Sequence, residues 1–135
     1  MISLSNTSAQ TLTAGQNITF NTVLSKTGGA ECHRQGTGSI KLCAKNAIYM
    51  IEFSANITNS SAADPVQLAI ALGGDVLKET TMIFTPGAAE AVGHVSVALP
   101  VRNNCCDYDR ITVVNNGTTD VTVSANPLLA VRRVA

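Results

Sequence analysis

Apolar and polar residues alternate with a period of two along most of this chain, and this pattern limits its possible folds more than any other feature. In the longest alternating stretch, residues 49–57, every second side chain is apolar or aromatic. Successive side chains of a strand point to opposite faces of a sheet, whereas an amphipathic helix repeats its apolar residues every three or four positions. The pattern therefore predicts strands that each bury one face.

About eight such stretches are separated by glycine, proline or asparagine turn signals. We predict strands at residues 17–24, 40–43, 49–57, 66–72, 76–84, 95–101 and 111–113, and a last stretch at 121–134 that Pro127 interrupts at a bulge or an edge. Residues 62–77 also fit one face of a helix, but Pro65 and the Gly73-Gly74 pair bracket a short run and favour a strand. The Asn116-Gly117 pair predicts a hairpin turn. Short strands at this spacing are typical of an all-β sandwich or jelly roll, with one domain spanning residues 1–135.

The charge balance excludes several classes of function. Nine basic and nine acidic residues give a net charge of zero, so no excess of positive charge attracts nucleic acid. The apolar runs are shorter than the ~18 residues that a membrane-spanning helix needs. We expect neither a nucleic acid nor a membrane as a partner.

Residues that support catalysis are present, but they form no recognisable motif. The sequence contains no glycine-rich phosphate loop, no nucleophile elbow and no C-x-x-C pair. Residues 107–109, Asp-Tyr-Asp, resemble part of a calcium loop but lack the other oxygen ligands and the glycine. A Cys/His metal site would have to combine Cys32, His33 and distant cysteines at spacings that match no zinc pattern. We predict a non-enzymatic protein without catalytic residues, cofactor or bound metal.

One face of the longest predicted strand is unusual because it is half apolar. Ile48, Met50, Glu52 and Ser54 share the parity opposite to Tyr49, Ile51 and Phe53. A carboxylate on this strand has to reach water, a cation or a partner chain, and an ordinary solvent-facing Glu52 is the simple alternative. Only 13% of the residues are charged, which leaves few charges to cover such a face. Self-association is the common way to cover an apolar sheet face.

Three segments resemble the C1q/TNF-like jelly-roll family, in particular its bacterial and phage branch. The run from Gln16 to Val23 is similar to an early strand of the family, and residues 47–53 resemble its G-x-Y-x-[IV]-x-[FY] strand, with Ala47 in place of the usual glycine. The ending from Leu128 to Ala135 looks like its closing strand. The resemblance implies a ten-strand, two-sheet jelly roll that forms a homotrimer and has no catalytic site.

This resemblance also implies roles for particular residues. The parity of Tyr49, Ile51 and Phe53 would pack between the sheets. Ile48, Met50, Glu52 and Ser54 would form the three-fold interface together with the last strand. Arg132 or Arg133 of the closing strand is the candidate partner of Glu52, because three carboxylates near an axis repel each other.

Members of this branch include collagen-like spore-surface heads and phage head-fibre or decoration proteins. No Gly-X-Y tract precedes the domain in this sequence, and we expect a phage capsid decoration or head-fibre protein on the virion surface. Its partners would be its own copies and a capsid or other shell protein, with a host glycan as a further possibility. A spore- or cell-surface structural head is the alternative. A carbohydrate-binding module is a weaker one, because tryptophan is absent and an aromatic platform is hard to build.

The four cysteines are the last group that the resemblance addresses. In a jelly roll of this type, the strand at residues 40–43 should lie antiparallel to the strand at 110–115, which brings Cys43 towards the Cys105-Cys106 pair. Cys32 competes for the same partner. We expect at least one disulfide from Cys32 or Cys43 to Cys105 or Cys106, and four reduced thiols are the alternative.

Overall fold

The fold consists of strands, as the alternation predicts. A computed structural model of the chain describes residues 1–103 and 109–135. The strands are β1 (Ile2–Ser5), β2 (Gln10–Leu12), β3 (Thr22–Lys26), β4 (Glu31–His33), β5 (Ile40–Leu42), β6 (Ile48–Thr58), β7 (Val66–Leu72), β8 (Asp75–Val76), β9 (Met82–Phe84), β10 (Gly93–Arg102), β11 (Arg110–Val114), β12 (Val121–Val123) and β13 (Leu128–Arg133). A 3₁₀ turn, Lys78–Thr80, lies between β8 and β9.

The strands form two antiparallel sheets. In the first sheet, β6 pairs with β10 on one side and with β12 and β13 on the other. The sheet continues from β13 through β1 to β3, and from β12 to β2. The second sheet has the order β4-β5-β11-β7, and β7 pairs further with β8 and β9. Consecutive strands often belong to different sheets, which is the connectivity of a jelly roll rather than of a meander.

The core lies between the two sheets, and alternate residues of β6 supply two of its three largest buried side chains, Tyr49 and Phe53. Tyr49 and Ile51 are fully buried and Phe53 is 2% exposed, which confirms the predicted parity. The Tyr49 hydroxyl donates a hydrogen bond to the Ala30 carbonyl at 2.7 Å and accepts one from the Ala44 amide at 3.0 Å. Burial raises the pKa of this phenol, which stays a neutral donor between the sheets.

The segment predicted as a strand at 17–24 is interrupted. Ile18 and Phe20 are buried, but the amide and carbonyl of Thr19 bond to side-chain amides of Gln10 and Asn6 instead of a neighbouring strand. A register shift in the β1–β3 pairing then moves Leu24 out of phase, and Leu24 is 58% exposed. Leu24 has the same sequence parity as Ile18 and Phe20 but is not buried with them, so the prediction of one continuous strand at 17–24 is wrong.

The segment predicted as one strand at 76–84 is also divided. The Thr80 hydroxyl accepts a hydrogen bond from the Ile70 amide at 2.8 Å and donates one to the Leu77 carbonyl at 2.6 Å. The Thr80 hydroxyl thus makes a hydrogen bond to β7 that a backbone carbonyl would make in a continuous strand. Such interruptions, together with short strands near the N-terminus, give thirteen strands in the described ranges instead of ten. Residues 66–72 form a strand, so the alternative of a helix at 62–77 is excluded.

The Asn116-Gly117 turn does not close a hairpin. β11 lies in the second sheet and β12 in the first, so the connection between them crosses from one sheet to the other. Asn115 is fully buried at this crossing and donates hydrogen bonds to the carbonyls of Leu12 and Thr119. The prediction of a hairpin failed because the sequence signal marks a tight turn, not which strands it joins.

Candidate self-association face

The outward face of the first sheet brings together the residues that the parity of β6 singled out. We call this surface the β6 face. It consists of Ile48, Met50, Glu52 and Ser54 of β6, Ser96, Ala98 and Pro100 of β10, and Leu128, Ala130 and Arg132 of β13. The register fixes this arrangement, since Glu52 lies opposite Ala98 on one side and opposite Ala130 on the other.

Small side chains surround Glu52 and give the β6 face its shape. Next to Ala98 and Ala130, a depression of about 390 Å³ is lined by Glu52, Phe53, Ser54, Ser96, Val97, Ala98 and Leu128. Two large apolar side chains lie towards the ends of the β6 face: Ile48 and Leu128 are each 38% exposed. A surface with small residues in the middle and apolar ones at the margin can receive protruding side chains of another chain.

Glu52 carries the negative charge of the β6 face and has a partner in the same chain. Its Oε1 lies 3.6 Å from Nη2 of Arg132, and both side chains are about half exposed. The Arg133 side chain makes a different contact, since its Nε donates a hydrogen bond to the Ala135 carbonyl. The backbone amide of Arg133 donates to the Glu31 carboxylate. The pair is too exposed to stabilise the monomer by much, since such ion pairs contribute about 0–1 kcal/mol. It does keep the middle of the face close to electroneutral.

The neighbouring strands β10 and β13 supply six of the ten residues of the β6 face. The family resemblance implied the last strand and Arg132, whereas sequence reasoning missed β10. Ser96, Ala98 and Pro100 alternate on β10 with apolar residues that are buried or half-buried, so their parity was visible in the sequence. Which strand lies beside β6 was not visible, because strand order depends on pairing between distant segments.

The described cysteines lie on the second sheet, away from the β6 face. Cys32 is on β4, and Cys43 directly follows β5. β5 pairs antiparallel with β11, which confirms the predicted arrangement of these two strands. The Sγ atoms of Cys32 and Cys43 are 2.9 Å apart, and both are free thiols. Cys105 and Cys106, the predicted disulfide partners, lie outside the described residues, so that disulfide stays a prediction.

The described part of the chain assembles no metal site. No group of three or more His, Cys, Asp or Glu side chains comes together there. His33 binds the Ser39 carbonyl through Nδ1, and His94 lies on β10 beside Asn56. Of the calcium-like run 107–109, only Asp109 is described. Among the same residues, no helix has the length and hydrophobicity to span a membrane.

A larger cavity, of about 630 Å³, opens elsewhere. It lies along β7 and β11 and is lined by Gly15, Asn17, Ala71, Gly73, Gly74, Val76, Asp109, Arg110, Thr112 and Val114. Its walls are mostly glycine and short side chains. No aromatic side chain is among these residues, and aromatic rings are the usual platform for a sugar.

The fold and the β6 face define an all-β, two-sheet jelly-roll protein with one outward sheet face of low charge. No protein-family model matches the chain, and no curated protein matches it. Solved structures with the same fold do match it. The Eiger TNF of S. frugiperda superimposes with a TM-score of 0.78 at 8% sequence identity, covering 99% of this chain and 91% of that one.

Two further structures resemble the chain over almost its whole length. The globular domain of zebrafish complement 1qA has a TM-score of 0.68 at 13% identity and covers 99% of this chain and 96% of its own. The PRD1 vertex protein P5 has a TM-score of 0.57 at 15% identity, with 98% and 94% covered. The chain therefore has the TNF/C1q-like jelly-roll fold.

Proposed function

We propose that this chain is a non-enzymatic structural module that forms a homotrimer through the β6 face and is displayed on the surface of a bacteriophage capsid, as a decoration or head-fibre protein. The observation that carries the proposal is the composition of the β6 face. Three adjacent strands present small and apolar side chains outward, and Met50 and Ser54 are already half-buried in the isolated chain. A surface of this kind gains free energy when a second copy covers it.

The Glu52–Arg132 pair makes a three-fold arrangement of this face electrostatically acceptable. Three carboxylates close to an axis would repel one another and favour protonation. Here the guanidinium of Arg132 lies 3.6 Å from the Glu52 carboxylate of the same chain. Three copies would therefore place three neutral pairs together, and the internal contact of each pair would offset part of the cost of desolvating it.

Light scattering at micromolar concentration tests the assembly. We expect a mass three times the 14.0 kDa of one chain. A mass of one chain at this concentration contradicts the trimer.

A matched pair of substitutions tests which surface is used. Met50→Asp introduces a charge into the half-buried centre of the β6 face, so we expect dissociation to monomers that keep the strand content of the native protein. Thr112→Asp introduces the same charge at a half-buried position on the outward face of the second sheet and should leave the mass unchanged. Dissociation by Thr112→Asp alone would place the interface on the other sheet.

The placement on a phage particle is supported by the sequence resemblance and by the likeness to a phage vertex protein. Immunogold electron microscopy with an antibody to this chain tests it on particles, spores and cells from the source culture. We expect label on the outside of phage particles. Label on spores or cell walls would instead favour the structural head of a spore or cell surface.

The carbohydrate-binding alternative has its own test. The purified trimer is applied to an array of immobilised glycans, and we expect no binding that survives washing. Specific retention of one glycan class would favour the carbohydrate-binding module over the purely structural one.

A further inference from the structure

The two described cysteines form a close pair at the edge of the second sheet. β4 pairs with β5 in the register that places Cys32 opposite Lys41, and the Cys43 amide donates to the Ala30 carbonyl at 2.9 Å. Cys32 and Cys43 are therefore diagonal neighbours on one face of the hairpin. Their Sγ atoms are 2.9 Å apart as free thiols.

We propose that Cys32 and Cys43 form a redox-active pair, which a small-molecule disulfide such as oxidised glutathione converts into an intrachain disulfide, in place of the bridge to Cys105 or Cys106 that the family resemblance implies. The sulfur atoms of a disulfide are about 2.05 Å apart, so they have to approach by roughly 1 Å. β4 makes this movement possible because it is three residues long and lies at the edge of the sheet, paired only with β5.

Exposure determines the order of the two reaction steps. Cys32 is exposed, whereas Cys43 is half-buried. Burial, reinforced by the neighbouring Cys32, raises the pKa of the Cys43 thiol, so this thiol stays protonated to a higher pH. Oxidised glutathione therefore meets Cys32 first.

The exchange balances in atoms and electrons. The Cys32 thiol loses its proton, and its thiolate attacks one sulfur of oxidised glutathione, which releases one glutathione thiolate and leaves a mixed disulfide. The Cys43 thiol then loses its proton, attacks Sγ of Cys32 and releases the second glutathione. The two protein thiols are oxidised by two electrons, and the two protons end on two molecules of reduced glutathione.

The disulfide would tighten a hairpin that holds the two sheets together. Ala30, next to β4, accepts the hydrogen bond of the Tyr49 hydroxyl from β6. Glu31 on β4 is fully buried and accepts a hydrogen bond from the Arg133 amide at the end of β13. A covalent link between β4 and β5 would thus stabilise the contacts that join the second sheet to both strands of the first.

One tryptic digest separates the proposed pairing from any pairing of Cys32 or Cys43 with the Cys105-Cys106 pair. Cleavage after Lys26, Arg34, Lys41 and Lys45 places Cys32 in the peptide 27–34 and Cys43 in the peptide 42–45, while Cys105 and Cys106 share the peptide 103–110. The native protein is treated with oxidised glutathione, its remaining thiols are blocked with N-ethylmaleimide, and it is digested without reduction. We expect peptides 27–34 and 42–45 joined, with a mass that separates into the two peptides on reduction.

Cysteine variants keep the result unambiguous. Cys43→Ser should stop at the mixed disulfide of glutathione on Cys32, because the second attacking thiol is gone. The double variant Cys105→Ser/Cys106→Ser removes the competing thiols and should still give the joined peptides. Joining of 27–34 or 42–45 to 103–110 in the native protein, or N-ethylmaleimide on both thiols of the double variant, would overturn the proposal.

Discussion

Single buried polar residues hold the parts of the backbone that strand pairing does not cover. Glu31, Asn103 and Asn115 are all fully buried. Asn103 donates hydrogen bonds to the carbonyls of Leu42 and Ala44, which lie in the second sheet and just beyond it. No sequence signal indicated the roles of the two asparagines, because asparagine near a turn is equally typical of a solvated loop.

Asn115→Ala should lower the free energy of unfolding, although Asn115 lies next to a turn signal in the sequence. The substitution removes the side-chain donor to the buried carbonyl of Leu12 and to the part-buried carbonyl of Thr119, and it removes the acceptor of the Gly117 amide. Each buried group without a partner costs about 1–3 kcal/mol. We expect a loss of roughly that size or more in the free energy of unfolding, measured with urea. Asn116→Ala, which removes one hydrogen bond to Thr81, is the control and should lose clearly less.

At the scale of elements, alternation predicted the long strands well and the short ones poorly. β6, β7 and β10 each carry enough alternating residues to define a buried face. β2 and β4 have three residues each, and the only buried residue of β4 is a glutamate. Their strand conformation comes from pairing with distant partners, which no local pattern records.

The two faces of β6 should respond differently to substitution. Phe53→Ala removes a ring that is 2% exposed between the sheets, and should cost about 3–5 kcal/mol of the free energy of unfolding of each chain. Met50→Asp, on the other face, should instead weaken assembly at nearly unchanged strand content. Circular dichroism during urea unfolding measures the first effect and light scattering the second. Equal effects of both substitutions on assembly would contradict the assigned parity.

For the whole molecule, the sequence and the resemblance predicted the fold class and two strands of the candidate face, β6 and the last strand, but not β10. The resemblance of three separated segments indicated a C1q/TNF-like jelly roll, and the solved structures with this fold agree. The face needs the order β10-β6-β13, and that order depends on pairings between residues more than thirty positions apart. Such contacts cannot be read from periodicity.

Trimer formation links stability to protein concentration. Folding of three chains into one particle is favoured by mass action, so each tenfold increase in concentration adds about 0.9 kcal/mol per chain. For a chain of this length we expect the melting temperature to rise by about 3 °C per tenfold increase. Scanning calorimetry at three concentrations measures this rise. A melting temperature independent of concentration would indicate a chain that folds alone.

The contacts of the Glu31 carboxylate bring the two ends of the chain close enough for a circular permutation. The carboxylate binds the amino group of Met1 at 2.8 Å and the amide of Arg133 at 3.0 Å, so residues 1 and 133 lie within a few ångströms of each other. A short glycine linker from residue 135 to residue 1 would therefore close the chain into a ring, and the amide of residue 1 would replace the ammonium group beside Glu31. New ends could then be opened at Gly73-Gly74, an exposed turn between β7 and β8. Such a circular permutant should fold into the same two sheets, because their pairing does not depend on where translation starts.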